Sequence, residues 1–161
     1  GPRPWGAGVM SDNEAIRMLI AKSCLTLDDG DFSAYLALCA PDYAYRIKAW
    51  SPELRNDMIW LEHDRDGLAG LFATLPEHLQ RSGRLSRHVS TATIEARENT
   101  EAYDVVSSLI VHHTDLDGRT QTLAVGRYKD TVAWVDGAIL LSAREVALET
   151  RDLGIGLHVP L

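Results

Sequence analysis

Six histidines, two cysteines and twenty-three acidic residues are the side chains of this 161-residue chain that could hold a metal or move a proton. An iron–sulfur centre with mixed ligands needs two Cys-x-His-type pairs. Cys24 is followed two places on by Thr26, and Cys39 by Pro41, so neither cysteine starts such a pair. A mononuclear iron site needs two His and one carboxylate with open positions. The histidines are His63, His78, His88, His112, His113 and His158, and no two of them are spaced H-x-x-x-H. His112 and His113 are neighbours on an expected strand and therefore point to opposite faces. The reading is that this chain holds no metal of its own. The two cysteines lack C-x-x-C spacing, could form at most one disulfide, and are expected as buried small apolar residues on helix faces.

Proton transfer would need a Tyr, Asp or His whose pKa is shifted by an apolar pocket. Tyr43 and Tyr45 alternate with Ile47 on one strand face, as core aromatics whose hydroxyls need partners. His88 lies between Arg87 and Val89 on another expected strand, toward an interface or an interior wall. His63-Asp64 resembles a dyad in composition only: on a helix, adjacent side chains diverge by about 100°. They read as solvated residues of the acidic stretch EHDRD. Asp104 and Glu145 have no visible second carboxylate or base. G-x-S-x-G, G-x-G-x-x-G and phosphate-loop patterns are absent.

The elements that would position these residues follow from periodicity. Ser11-Asp12-Asn13-Glu14 has the capping-box pattern. Ile16, Leu19, Ile20, Cys24 and Leu27 then make one helical stripe, ended by Asp28-Asp29-Gly30. Asp31 caps a second helix that packs through Phe32, Tyr35, Leu36, Leu38 and Cys39 and stops at Pro41. Tyr43–Trp50 alternates as a strand with one wet face. Residues 51–56 read as a loop, and 58–62 fit a short helix or a strand. Asp66–Gln80 reads as a helix that Pro76 bends. From Leu85 the period is two: strands over 85–97, 101–115, 119–131 and 138–149, with a turn at Asn99 and hairpin signals at Asp117-Gly118 and Asp136-Gly137. Strands this long must coil, and Gly126 is a candidate bend. Helices first and antiparallel strands last make an α+β domain with the helices on one face of the sheet.

Apolar residues at 45% and charged residues at 24% are ordinary for one globular domain. A net charge of −7 argues against nucleic acid and anionic membrane as partners, and no apolar run reaches membrane-spanning length. Gly1–Val9, with two Pro and three Gly, read as a cloning remnant or loose leader ahead of Met10. The domain is set at residues 11–161 and residues 1–10 are left outside it. No secretion signal is recognised, so the cytoplasm is the expected location. Arginine outnumbers lysine thirteen to three, which suits forked, desolvated contacts. Arg84, Arg87, Arg97, Arg127 and Arg144 all fall in the strand-rich half. The run Asp104–Val111, apolar on both sides near its middle, fits a strand covered on both faces and hence oligomerisation.

The order of helices and strands resembles the NTF2-like (SnoaL-like) cone fold. Three stretches are similar to the small, or beta, subunit of Rieske non-haem iron ring-hydroxylating oxygenases. They are LTLDDGDFSAYLALCAPDYAYRI at 25–47, GRLSRHVS at 83–90 and AVGRYKDTVAWVDGAILLSAREVALET at 124–150. The second carries the family's R-x-x-R-x-V pattern on Arg84, Arg87 and Val89. The third carries Gly126, Tyr128, Asp130, Asp136, Gly137 and Arg144. Pro160-Leu161 is also shared with several such subunits.

The resemblance implies a subunit with no catalytic residue that braces an iron-bearing alpha subunit in aromatic-compound catabolism, commonly as α3β3, with homo-oligomers expected of the isolated chain. The Rieske cluster and mononuclear iron would sit on alpha, and this chain would hold no cofactor. Arg84, Arg87 and Arg144 are then expected at subunit interfaces. The alternative is a stand-alone cone protein, an isomerase, dehydratase or small-ligand binder, with Tyr43, Tyr45 and His88 in its pocket.

Overall fold

The computed structural model describes residues 11–75, 83–153 and 160–161. The capping residue Ser11 accepts a hydrogen bond from the Glu14 N–H at 3.2 Å and opens helix α1, Asp12–Asp28. Ile16, Leu19, Ile20, Cys24 and Leu27 form its buried stripe, joined by Ser23. Gly30, at φ +69°, turns the chain into a left-handed conformation that stops the helix. Asp31 then accepts from the Ala34 N–H and caps α2, Phe32–Ala37.

α2 is shorter than its sequence pattern suggests. The chain is already extended at Cys39, where strand β1, Cys39–Ser51, begins. Pro41 therefore does not end a helix. It lies in β1, where the pairing with the neighbouring strand breaks between Cys39 and Ala44 and no ladder N–H is needed. Residues 56–64 resolve as an edge strand, β2, Asn56–Asp64. Helix α3 covers only Arg65–Phe72, because Asp64 accepts from the Gly67 N–H at 2.7 Å and starts it there. Pro76, with its expected bend, and His78 lie outside the described residues.

Strands β3 (Arg84–Ala96), β4 (Ala102–Thr114), β5 (Thr120–Val135) and β6 (Ala138–Leu148) follow the expected limits closely. β5 is the exception and runs to Val135. Asn99 at φ +60° sits in the first turn, Gly118 at φ +82° in the second, and Asp136 and Gly137 at φ +49° and +84° form the third. The six strands order as β2-β1-β6-β5-β4-β3, with β1 parallel to β6 and every other pair antiparallel. Register breaks at Ile47/Lys48, Thr91/Thr93, Val111/His112 and Thr131/Val132 coil the sheet around its helices. α1 lies against β3 and β6. The core between helices and sheet contains Ile16, Ile20, Tyr35, Tyr43, Leu68, Val105, Leu109 and Leu141.

Gly126 serves close approach, not a register break. A Cβ there would stand 2.3 Å from the carbonyl oxygen of Ala147 on β6. Gly126→Ala should therefore force β5 and β6 apart and cost about 1–3 kcal/mol or more, read as a lowered urea midpoint with an unchanged slope.

Candidate functional site

The inward side chains of β1, β6 and β5 meet in one row. Tyr45 is opposite Arg144, and Arg144 is opposite Asp130. Counting back from the two-residue turn at Asp136-Gly137 would set Ala143 across from Asp130. The pairing instead skips Ser142, so that Thr131 faces Ala143 and Asp130 faces Arg144. One extra residue on β6 thus moves Arg144 from the outer face to the interior.

Inside, Arg144 and Asp130 form a fork. Nε donates to Oδ1 at 2.8 Å and Nη2 to Oδ2 at 3.0 Å, with both side chains fully buried. Nη2 also donates to Ser23 Oγ of α1 at 2.9 Å, and that hydroxyl donates to the Ile20 carbonyl. The guanidinium carbon lies 3.8 Å from the centre of the Tyr128 ring. Burial pushes the Asp130 carboxyl above its ordinary value while Arg144 pulls it back down. Arg144 is held protonated: burial opposes its charge, but Asp130 prevails. Arg144 Nη1 and Tyr128 Oη are buried without a hydrogen-bond partner in the protein.

Aromatic rings and residues 160–161 also pack in the interior. Tyr35 and Tyr43 share a hydroxyl–hydroxyl hydrogen bond of 2.6 Å. Tyr45 Oη accepts from the Leu161 N–H at 2.8 Å and donates to its carbonyl at 3.2 Å. Arg87 donates from its backbone N–H and from Nη1 to Asp28 at the end of α1, and from Nη2 to the Pro160 carbonyl at 2.6 Å. Leu161 is fully buried.

The candidate residues thus separate. Tyr43 and Tyr45 do face the interior, but their hydroxyls are engaged by Tyr35 and Leu161. His88 does not join them. It is exposed on the outer face, hydrogen-bonded to Ser86 Oγ at 3.0 Å, with its ring 5.3 Å from that of His112. Arg87 and Arg144, expected at subunit interfaces, are buried and bind within the chain, because the strand register turns them toward α1. Arg84 is the exposed member of the three and pairs with Asp29 at 3.2 Å. Asp64 is a helix cap instead of a partner for His63. Asp104 pairs with Arg97, and Glu145 with Arg46 and Lys48, all on the outer face. There, Ala44 and Ala143 lie low among these charged groups and line an open groove of about 780 Å³. Val106 is only half-buried and Ile110 is exposed, so the outer side of β4 is not covered by the described residues.

Ser23, Asp28 and Leu161 were not candidates from sequence. Their roles arise from contacts spanning 121, 59 and 116 residues, which no local sequence signal marks.

Among the described residues no group of three or more His, Cys, Asp and Glu side chains is placed to share a metal ion. Both cysteines are free and buried. Burial pushes the Cys39 thiol up to about 12 and raises Cys24 as well. Protonated, enclosed thiols do not suit the ligand set of an iron–sulfur cluster. Nor, among the described residues, is any helix long and apolar enough to cross a membrane.

The described residues form a coiled sheet wrapped on three helices, and the pattern of the SnoaL-like domain family matches residues 9–145; the chain belongs to that family. Its relatives narrow the class to oxygenase beta subunits. The chain is 35% identical over 156 residues to the methanesulfonate monooxygenase hydroxylase subunit beta of Methylosulfonomonas methylovora, covering 92% of this chain and 86% of that one. It is 29% identical to the 2-aminobenzenesulfonate 2,3-dioxygenase subunit beta of an Alcaligenes species, covering 93% and 99%. Among solved structures, a Novosphingobium aromaticivorans chain assigned as an aromatic-ring-hydroxylating dioxygenase beta subunit superposes with a TM-score of 0.74 at 23% identity, over 85% of this chain and 88% of that one. A chain of naphthalene 1,2-dioxygenase gives 0.68 at 15%, over 90% and 83%. These two likenesses speak to the fold.

Two predictions follow from the interior. Arg144→Met leaves a buried carboxylate without its partner and should cost about 3–5 kcal/mol in urea unfolding, whereas Arg144→Met with Asp130→Leu should recover most of that loss. The second concerns alkali. Burial raises the phenols of Tyr35, Tyr43, Tyr45 and Tyr128 above their ordinary value. A group whose pKa is higher folded than unfolded contributes full stability below its unfolded pKa and loses it as pH rises. Ultraviolet titration should therefore show these four phenols ionising together, at high pH, as the fold is lost.

Proposed function

We propose that this chain is the beta subunit of a multicomponent ring-hydroxylating oxygenase, supplying shape and contact surface to an alpha subunit that carries the Rieske cluster and the mononuclear iron. The observation that carries the reading is the engagement of the interior's polar side chains within the chain. The hydroxyls of Tyr35, Tyr43 and Tyr45, the Arg144–Asp130 fork and Arg87 Nη2, which a cone enzyme could turn toward substrate, are here bound to one another or to Pro160 and Leu161. Among the described residues, what the chain presents outward is an uncovered sheet face with charged groups and the edge strand β2, a surface suited to other subunits. Identity to two beta subunits over more than nine-tenths of the chain supports the same role. Both belong by name to oxygenases acting on sulfonates, and a sulfonated compound is the substrate class we assign to the holoenzyme. An α3β3 assembly in the cytoplasm completes the proposal.

Co-expression with the alpha subunit of the same oxygenase should give one complex whose mass by light scattering equals three alpha and three beta chains. Iron should follow alpha when the two are separated. A beta chain that stays apart from alpha, or that alone converts a small carbonyl substrate in a Tyr43- or Tyr45-dependent way, would overturn the assignment in favour of a stand-alone pocket enzyme.

A further inference from the structure

The 160–161 segment sits where a ligand could sit. Pro160 gives its carbonyl to Arg87 Nη2 at 2.6 Å, and Leu161 gives its N–H and carbonyl to Tyr45 Oη. Its side chain fills a fully buried apolar seat. These are the contacts of a small molecule with one polar head and a branched apolar body. The head group's seat is only half used. Arg87 Nε is buried with no partner, although the Arg87 side chain is only 3% exposed. Nε and Nη2 lie on one edge of a guanidinium, the edge through which Arg144 grips both oxygens of Asp130. A carbonyl brings one oxygen to that fork. A carboxylate would bring two and satisfy both donors.

We propose that the interior bounded by Arg87 and Tyr45 is a latent binding site for a small branched-chain carboxylic acid, kept closed by Pro160–Leu161. The carboxylate takes the Arg87 fork in place of the Pro160 carbonyl, and the apolar body takes the seat of Leu161. Asp28 occupies the other side of the same guanidinium and backbone, so the fork stays fixed when the segment leaves. The inference is independent of the subunit role: its readout is ligand response, not complex formation.

The test is Leu161→Lys in the full chain. An ammonium is disfavoured in the buried seat and repelled by Arg87, so the segment is expelled. The probe is 5-methylhexanoate, whose carboxylate and branch match the spacing from the Pro160 carbonyl to the Leu161 methyls. Acetate and 5-methylhexanamide are the controls. The variant's melting midpoint should rise saturably by at least about 3 °C with the probe. It should rise less with the amide and not at all with acetate. The unaltered chain should not move at the same concentration. Adding Arg87→Lys, which keeps the charge beside Asp28 but removes the fork, should abolish the response. If Leu161→Lys does not fold alone, the probe should restore its near-ultraviolet circular dichroism. A folded variant that ignores the probe, an equal response to acetate or in the unaltered chain, persistence after Arg87→Lys, or failure to restore folding would each overturn the proposal.

Discussion

A guanidinium and a carboxylate sealed between sheet and helix set the terms for the rest of this fold. Removing either charge from water costs several kcal/mol, and the loss is offset only when the partner arrives with good geometry and the remaining donors are met. Arg144 meets most of that condition by drawing on two elements, Asp130 and the Tyr128 ring on β5 and Ser23 on α1, while its Nη1 has no hydrogen-bond partner in the protein. Each contact fixes a distance that apolar packing alone leaves loose. The helix cannot slide along the sheet without separating Ser23 from Arg144. The β5–β6 register cannot slip by one residue without turning Arg144 out of the core. The pair therefore contributes position more than net stability.

The same logic governs the second buried arginine. Arg87 sits on β3, at the C-terminal end of α1, and binds Asp28 through both its backbone and its guanidinium. Two arginines from different strands thus pin one helix at Ser23 and at Asp28. The high ratio of arginine to lysine is explained here by forked, desolvated contacts within the chain, at least for these two residues. On the outer face, Arg46 and Arg97 make exposed pairs with Glu145 and Asp104, which are worth far less to the fold.

The interior's ionisable side chains are largely engaged with one another or with Leu161. Catalysis in a buried cavity needs titratable groups aimed at a vacancy, with pKa values poised near the working pH. Here burial moves four phenols and both thiols away from neutrality, and an ion pair and residues 160–161 take up the space between them. The sheet's outer face carries exposed charged groups and is not covered by the described residues. That arrangement fits the proposed subunit role.

Much of this was legible in the order of residues. Short-range rules placed the caps at Ser11 and Asp31, the stripe of α1, the three turns and the alternation that turns Tyr43, Tyr45 and Ile47 inward. These depend on hydrogen bonds within a few residues and on strict periods of 3.6 and two. The metal-ligand spacings and the family likeness could also be judged from the chain alone. Sequence could not assign Arg87 and Arg144 to the interior, send His88 outward or bring Leu161 to Tyr45. A single skipped residue at Ser142 reverses which face Arg144 takes, and the local pattern carries no mark of it. Contacts across more than a hundred residues exist only once the sheet has coiled and closed around α1. The periods named the elements; the register, which is set by burying charge against charge, decided what they enclose.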